Sequence, residues 1–120
     1  MEYYKRIQKD EHMLYTKEIA ESFGIETTLG KPHSRFISQL IQVVAKLHHK
    51  ELEEFYYNTR SSGLVRVYSI VDYLSAMLWL KDKIGNKPGQ YRVTLGDHNF
   101  NIVVTSHFFD TLARLKQKIK

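Results

Sequence analysis

Apolar residues recur at helical spacing over several stretches of the chain and at every second position over one. Ile19, Ala20 and Phe23 share one face of a short helix, which Thr16 can cap and Gly24 ends. Ile25–Pro32 reads as a loop, because Thr27 and Thr28 give way to Gly30 and Pro32. Phe36, Ile37, Leu40, Ile41, Val44, Leu47, Leu52 and Phe55 then keep a helical period. They predict a long helix from near Ser34 to near Tyr57, ended by the turn-forming run Asn58–Gly63. Leu64–Ile70 is β-branched and aromatic and predicts a strand. Asp72 is placed to cap a helix over Tyr73–Ile84, stopped by Gly85 and apolar round much of its circumference. It should therefore be the most buried helix. Tyr91, Val93 and Leu95 alternate with polar residues, the turn Gly96–Asn99 follows, and Phe100, Ile102 and Val104 alternate again. That pattern is a β-hairpin with one apolar face. Ser106 can cap a last helix that turns Phe108, Phe109, Leu112, Leu115 and Ile119 inward.

The expected order is α-α-β-α-β-β-α. One α+β domain over residues 1–120 would bury these stripes as a small antiparallel sheet of three strands, including the C-terminal hairpin, packed against helices. Residues 1–60 form its helical part, led in by residues 1–12. Residues 61–120 form a strand-helix-hairpin-helix part. A strand followed by a capped helix occurs twice in that second part, at residues 64–84 and 100–119.

Composition narrows the class. The chain has 120 residues, 42% of them hydrophobic and 26% charged, which suits one folded core. No run approaches the ~18 apolar residues of a membrane span, and the polar N-terminus holds no signal-peptide core. There is no cysteine, which excludes disulfides and thiolate metal sites and fits a reducing, cytoplasmic compartment.

The net charge of +5 is unevenly placed. Residues 1–80 balance to zero. Residues 81–120 hold Lys81, Lys83, Lys87, Arg92, Arg114, Lys116, Lys118 and Lys120 against Asp82, Asp97 and Asp110. Such asymmetry points to a polyanionic partner. Arg92, Thr94, Asp97, His98 and Asn99 fall on the solvent face or tip of the expected hairpin, just after Lys81, Lys83 and Lys87. A basic hairpin can reach a groove or track phosphates.

The run TKEIAESFG, Thr16 to Gly24, matches the first helix and turn of a helix-turn-helix. Gly30 and Pro32 stand where the second helix should be, so the match resumes only after an insertion of about seven residues, at Ser34–Leu47. Ser34, Arg35, Gln39 and Gln42 would then be the exposed, base-reading positions, since Arg and Gln match purine edges. With GKPHSRFI following the insertion, residues 14–40 resemble the Rha/antirepressor type of phage regulatory protein. That resemblance implies DNA binding in a phage or mobile-element regulator.

Residues 62–119 resemble a LAGLIDADG homing-endonuclease half-domain through YSIVDYLSAMLWLKDKIG and YRVTLGDHNFNIVVTSHFFDTLARL. The family's module runs core helix, two strands, helix, two strands, helix. Its signature helix ends in a metal-binding acid, and the nearest segment here, LIQVVAKLH, carries Ala45 and Leu47 where acids are expected. The resemblance therefore implies a copy that keeps the fold or DNA affinity and has lost cleavage.

Catalysis has little other support. In LHHKELEEFYYNTR (Leu47–Arg60), a helix would put His48 beside Glu51 and His49 beside Glu53, but neighbouring histidines point apart and H-E-x-x-H is absent. A Lys50–Glu54 ion pair is the simpler reading. There is no G-x-S-x-G, and GNKPG leads from helix to strand, the reverse of a phosphate loop. The reading is a non-enzymatic domain that needs no cofactor or metal and binds nucleic acid, with duplex DNA favoured. A protein-interaction module using the long helix with Tyr56 and Tyr57 is the alternative, and an active nuclease a lesser one. The sequence leaves open whether the chain pairs as a homodimer.

Overall fold

The computed structural model describes residues 5–6, 13–52, 55–59 and 63–118. Its elements are β1 (Lys5–Arg6), β2 (Met13–Leu14), α1 (Thr16–Phe23), β3 (Ile25–Glu26), α2 (Ser34–Leu47), β4 (Phe55–Thr59), β5 (Gly63–Ser69), α3 (Ile70–Ile84), β6 (Gly89–Leu95), β7 (His98–Val104) and α4 (Ser106–Lys118). The class is α+β as expected, but the strands form two sheets. One has the order β1-β4-β5-β2, the other β3-β7-β6. The second contains the expected hairpin, in register from Gly89↔Val104 to Leu95↔His98. Its third strand is β3, paired antiparallel as Ile25↔Val104 and Glu26↔Val103. The expectation of one sheet holding both Leu64–Ile70 and the hairpin is thus corrected.

The long helix to Tyr57 is also corrected. α2 ends at Leu47, where His48 serves as C-cap and His49 takes a positive φ of 55°. Phe55–Thr59 is instead a strand, pairing Phe55↔Val67 through Thr59↔Gly63 with β5. His48 and His49 therefore follow α2 rather than lying on a helix with Glu51. Lys50 pairs with Asp72 at 2.5 Å. Glu53 and Glu54, the other partners expected in this run, lie outside the described residues. So does most of the expected lead-in, residues 1–12, of which Lys5–Arg6 is a short strand parallel to β4.

Helix starts lie close to their expected places, with the capping residues displaced. Thr16 and Ser106 are the first residues of their helices rather than the caps. Tyr15 precedes α1 and donates its N–H to the Glu18 carboxylate at 3.2 Å. α3 starts three residues before Tyr73, because the Ser69 hydroxyl accepts the Asp72 N–H at 3.4 Å. Asp72 is in the first turn, where its charge suits the helix dipole. α3 is no more deeply buried than α2: each buries six residues, and Val71 on α3 is exposed.

One hydrophobic cluster runs from Ile19 to Leu115 and joins all four helices to the inner face of β3-β7-β6. Phe23 lies at its centre, edge-on to Tyr73 at 6.1 Å and tilted against Phe108 at 6.0 Å. No helix among the described residues is long and apolar enough to cross a membrane.

α1 ends in a tight junction. Gly24 adopts φ 62° and its carbonyl accepts from both the N–H (3.1 Å) and the hydroxyl (3.0 Å) of Thr105. The Thr111 hydroxyl donates to the Ser22 carbonyl at 2.9 Å. A Cβ on residue 24 would stand 2.0 Å from the Thr105 hydroxyl oxygen. Gly24→Ala is therefore expected to lower the unfolding free energy by about 2–4 kcal/mol, from the positive φ and the displaced hydroxyl together. Urea unfolding would show it as a lower midpoint at unchanged slope. An unchanged midpoint would mean that the junction does not constrain the fold.

Candidate functional site

β3 covers only the last two residues of β7, and among the described residues no strand lies beside the edge of β7 over His98–Ile102. A hollow of about 310 Å³ opens there. Thr27 and Thr28 of the β3–α2 loop form one wall, His33 and Arg35 at the start of α2 another, and His98, Asn99, Phe100 and Asn101 of β7 the floor. A second hollow of about 410 Å³ shares Thr28 and Asn101 with the first and adds Gln90, Tyr91, Arg92 and Ile102. A third, about 370 Å³, shares Tyr91 and Arg92 with the second. It reaches over the β6 edge to Trp79, Lys83 and Ile84 at the end of α3. The shared residues make the three neighbours, a row of open hollows from the β7 edge over the hairpin to the β6 edge, together the groove. Among the described residues lining it there is no Asp or Glu.

Alternation explains most of this surface. Val93 and Leu95 are buried while Arg92 and Thr94 are exposed, and across the hairpin Asn99 and Asn101 are exposed beside buried Phe100 and Ile102. Thr94 donates to the Asn99 side chain at 2.6 Å and fixes one cross-strand pair. Arg92 lies opposite Asn101. His98 is exposed at the hairpin end, but alternation places it on the Phe100 side, with ring centres 6.3 Å apart.

His33 joins the groove to the core. Its ring centre is 5.8 Å from both Phe36 and Phe100, and those two rings meet edge-on at 5.5 Å. The Arg35 guanidinium lies 6.0 Å from the Phe100 ring. His33 is also the N-cap of α2, its Nδ1 accepting the Phe36 N–H at 3.4 Å. Nδ1 must be unprotonated to accept, so the ring proton of neutral His33 sits on Nε2. Burial holds the pKa of His33 below its ordinary value, and the neighbouring Arg35 charge lowers it further.

The structure brings together part of the expected set. Arg35, Lys83, Arg92 and His98 line the groove. Lys87 is exposed in the connection leading to β6, and its carbonyl accepts from the Tyr91 hydroxyl. Lys81 donates to Asn86 at 3.0 Å. Ser34 and Gln39 are half-buried on α2, and exposed Gln42 donates to Ser38 at 3.3 Å. Arg114 and Lys116 are exposed on α4 and line none of the three hollows. The Lys118 side chain and Lys120 lie outside the described residues.

His33, Thr28, Gln90 and Asn101 were missed. The alternation that exposed Arg92 and Thr94 could have added Gln90 and Asn101. His33 and Thr28 gave no comparable signal, because their place depends on β3 pairing with β7. Among the described residues, no group of three His, Asp or Glu could hold a metal ion. No family model, curated protein or solved structure matches the chain.

The His33 arrangement has a pH consequence. The fold favours neutral His33, so below about pH 6.5 the folded chain binds fewer protons than the unfolded one. This contribution to stability is complete above that pH and is lost as pH falls toward the lowered folded value. NMR titration is expected to place His33 below 6.5. Arg35→Ala should raise it, and an unmoved value would remove Arg35 as a cause.

Proposed function

We propose that this chain is a non-enzymatic nucleic-acid-binding domain that holds duplex DNA along the groove of the β3-β7-β6 sheet. The observation that carries this reading is a row of adjoining hollows with Arg35, Arg92 and Lys83 spread along it and no acid among its described lining residues. Cations of this kind contact phosphates without regard to sequence, and the Asn, Gln and Thr side chains between them suit base edges. A polar sheet face flanked by a helix start also offers a rigid platform, which sets register on a duplex better than mobile loops do.

The order of elements supports a LAGLIDADG-like relation. From α2 onward the chain runs helix, hairpin, helix, hairpin, helix, although the two hairpins lie in separate sheets. Ala45 and Leu47 at the end of α2 supply no metal ligand, so the relation we propose is one without cleavage. The helix-turn-helix reading has less support. Residues 24–33 between α1 and α2 include a strand of the sheet, far more than a short turn. The protein-interaction alternative rested on a long helix bearing Tyr56 and Tyr57, and both residues lie on β4 instead.

Fluorescence anisotropy with labelled duplex DNA tests the reading. Three full charges in the groove lead to a slope of log K against log salt of about −3. Arg92→Glu and Lys83→Glu should each weaken binding about tenfold at low salt and flatten that slope. Arg114→Glu and Lys116→Glu, outside the groove, should weaken it less. Absence of binding at low salt would sink the proposal. An equal loss from the α4 variants would move the interface to that helix.

A further inference from the structure

Beside the groove the loop between β3 and α2 carries a side chain that the core does not use. Leu29 is 84% exposed, the highest value among the large hydrophobic side chains identified as exposed. Its loop is nevertheless firmly built. The Thr27 N–H donates to the Lys31 carbonyl at 2.7 Å, and the Gly30 N–H to the Thr27 carbonyl at 3.0 Å. The Thr27 hydroxyl accepts from the Leu29 and Lys31 N–H groups at 3.2 and 3.3 Å. Gly30 takes φ 81°, and a bridge between Glu26 and Pro32 clamps the base of the loop.

These bonds use only the backbone of Leu29, so closing the loop requires no apolar side chain there. A polar residue is the ordinary choice at an exposed tip. Thr27 and Thr28, just before Leu29, wall the hollow that holds Arg35 and Asn101, and exposed Lys31 follows two residues after it. The result is an apolar prong on a fixed loop, flanked by hydroxyl and cationic side chains of the kind that contact phosphates.

We propose that Leu29 is a wedge that enters the base stack of duplex DNA held in the groove. The inference rests on the DNA reading above and adds a mode of recognition to it. A duplex offers apolar side chains the thymine methyls of its major groove and, when a step is opened from the minor groove, the faces of its stacked bases. Only the second contact bends and unstacks the duplex. Opening is easiest at pyrimidine–purine steps, so the wedge would favour TA or CA/TG steps without a hydrogen bond to any base. It would also bend the duplex. Lys31 and Arg35 are placed to hold phosphates on either side of the opened step.

The test uses the full chain and two short duplexes of equal composition, one with a central TA step and one without. End-attached dyes report bending, and 2-aminopurine beside the step reports unstacking. On saturation the wild type should raise energy transfer and 2-aminopurine fluorescence with the TA duplex. Leu29→Ala should keep the salt slope, bind the TA duplex about tenfold more weakly, and lose both signals. Leu29→Phe should retain them. The side chain is exposed, so Leu29→Ala should melt at the wild-type temperature. Bending and unstacking by Leu29→Ala at wild-type levels would overturn the wedge. Salt-dependent binding by the wild type without either signal would overturn the wedge alone, whereas no binding to either duplex would overturn the groove reading with it.

Discussion

The groove exists because α1 ends at Gly24. There the chain must turn sharply and pass close to Thr105, where β7 gives way to α4. A left-handed residue with no side chain allows both, and the two bonds from Thr105 to the Gly24 carbonyl hold the contact. Ile25 and Glu26 are then delivered beside Val104 and Val103 as the third strand of the sheet. From there the bonding continues without a break. The His33 N–H donates to the Ile25 carbonyl at 3.1 Å, and His33 Nδ1 in turn caps α2. Residues 22–36 form one bonded path from the core to the groove wall, and the loop bearing Thr27, Thr28 and Leu29 hangs from it.

Stability and function draw on different atoms of this frame. Phe23, Tyr73, Phe108, Phe36 and Ile102 are buried, and each such side chain contributes about 1.5–3 kcal/mol by leaving water. The Lys50–Asp72 pair, half-exposed on its lysine side, contributes on the order of 1 kcal/mol. The groove residues Arg92, Thr94, Asn99 and Asn101 are exposed and contribute little to folding. Their identities are therefore free to serve binding. Phe100, Ile102 and Val93 do both, since they belong to the core cluster and also line the groove.

Local signals in the sequence were read well where they were dense. The hairpin over Gly89–Val104 was legible because alternation and a Gly-Asp turn agree over sixteen positions. β1, β2 and β3 are two residues each, too short to show any period. β4 was misread because Leu47, Leu52 and Phe55 fall by chance at helical intervals. The chain leaves the helix at His49, and pairing with β5, a tertiary event, makes residues 55–59 a strand. The site divides in the same way. Arg35, Arg92 and His98 could be picked out singly. That Arg35 meets the hairpin could not be read, because it depends on β3 finding β7 across some eighty residues of chain. The Lys-rich end of α4 drew attention by composition, and Arg114 and Lys116 lie outside the groove.

The charge of the groove comes as much from missing acids as from cations. Its lining holds Arg35, Arg92 and Lys83, with His33 and His98 at the Arg35 end. His33 cannot serve as a further cation without giving up its cap, because the nitrogen that accepts the Phe36 N–H is the one that would be protonated. At neutral pH the ring donor is therefore a neutral Nε2–H, while Arg35 beside it carries the charge. This division lets a histidine stand in the groove wall without weakening the helix that positions Arg35. It also means that acidification pulls in two directions, adding positive charge for an anion while loosening the start of α2.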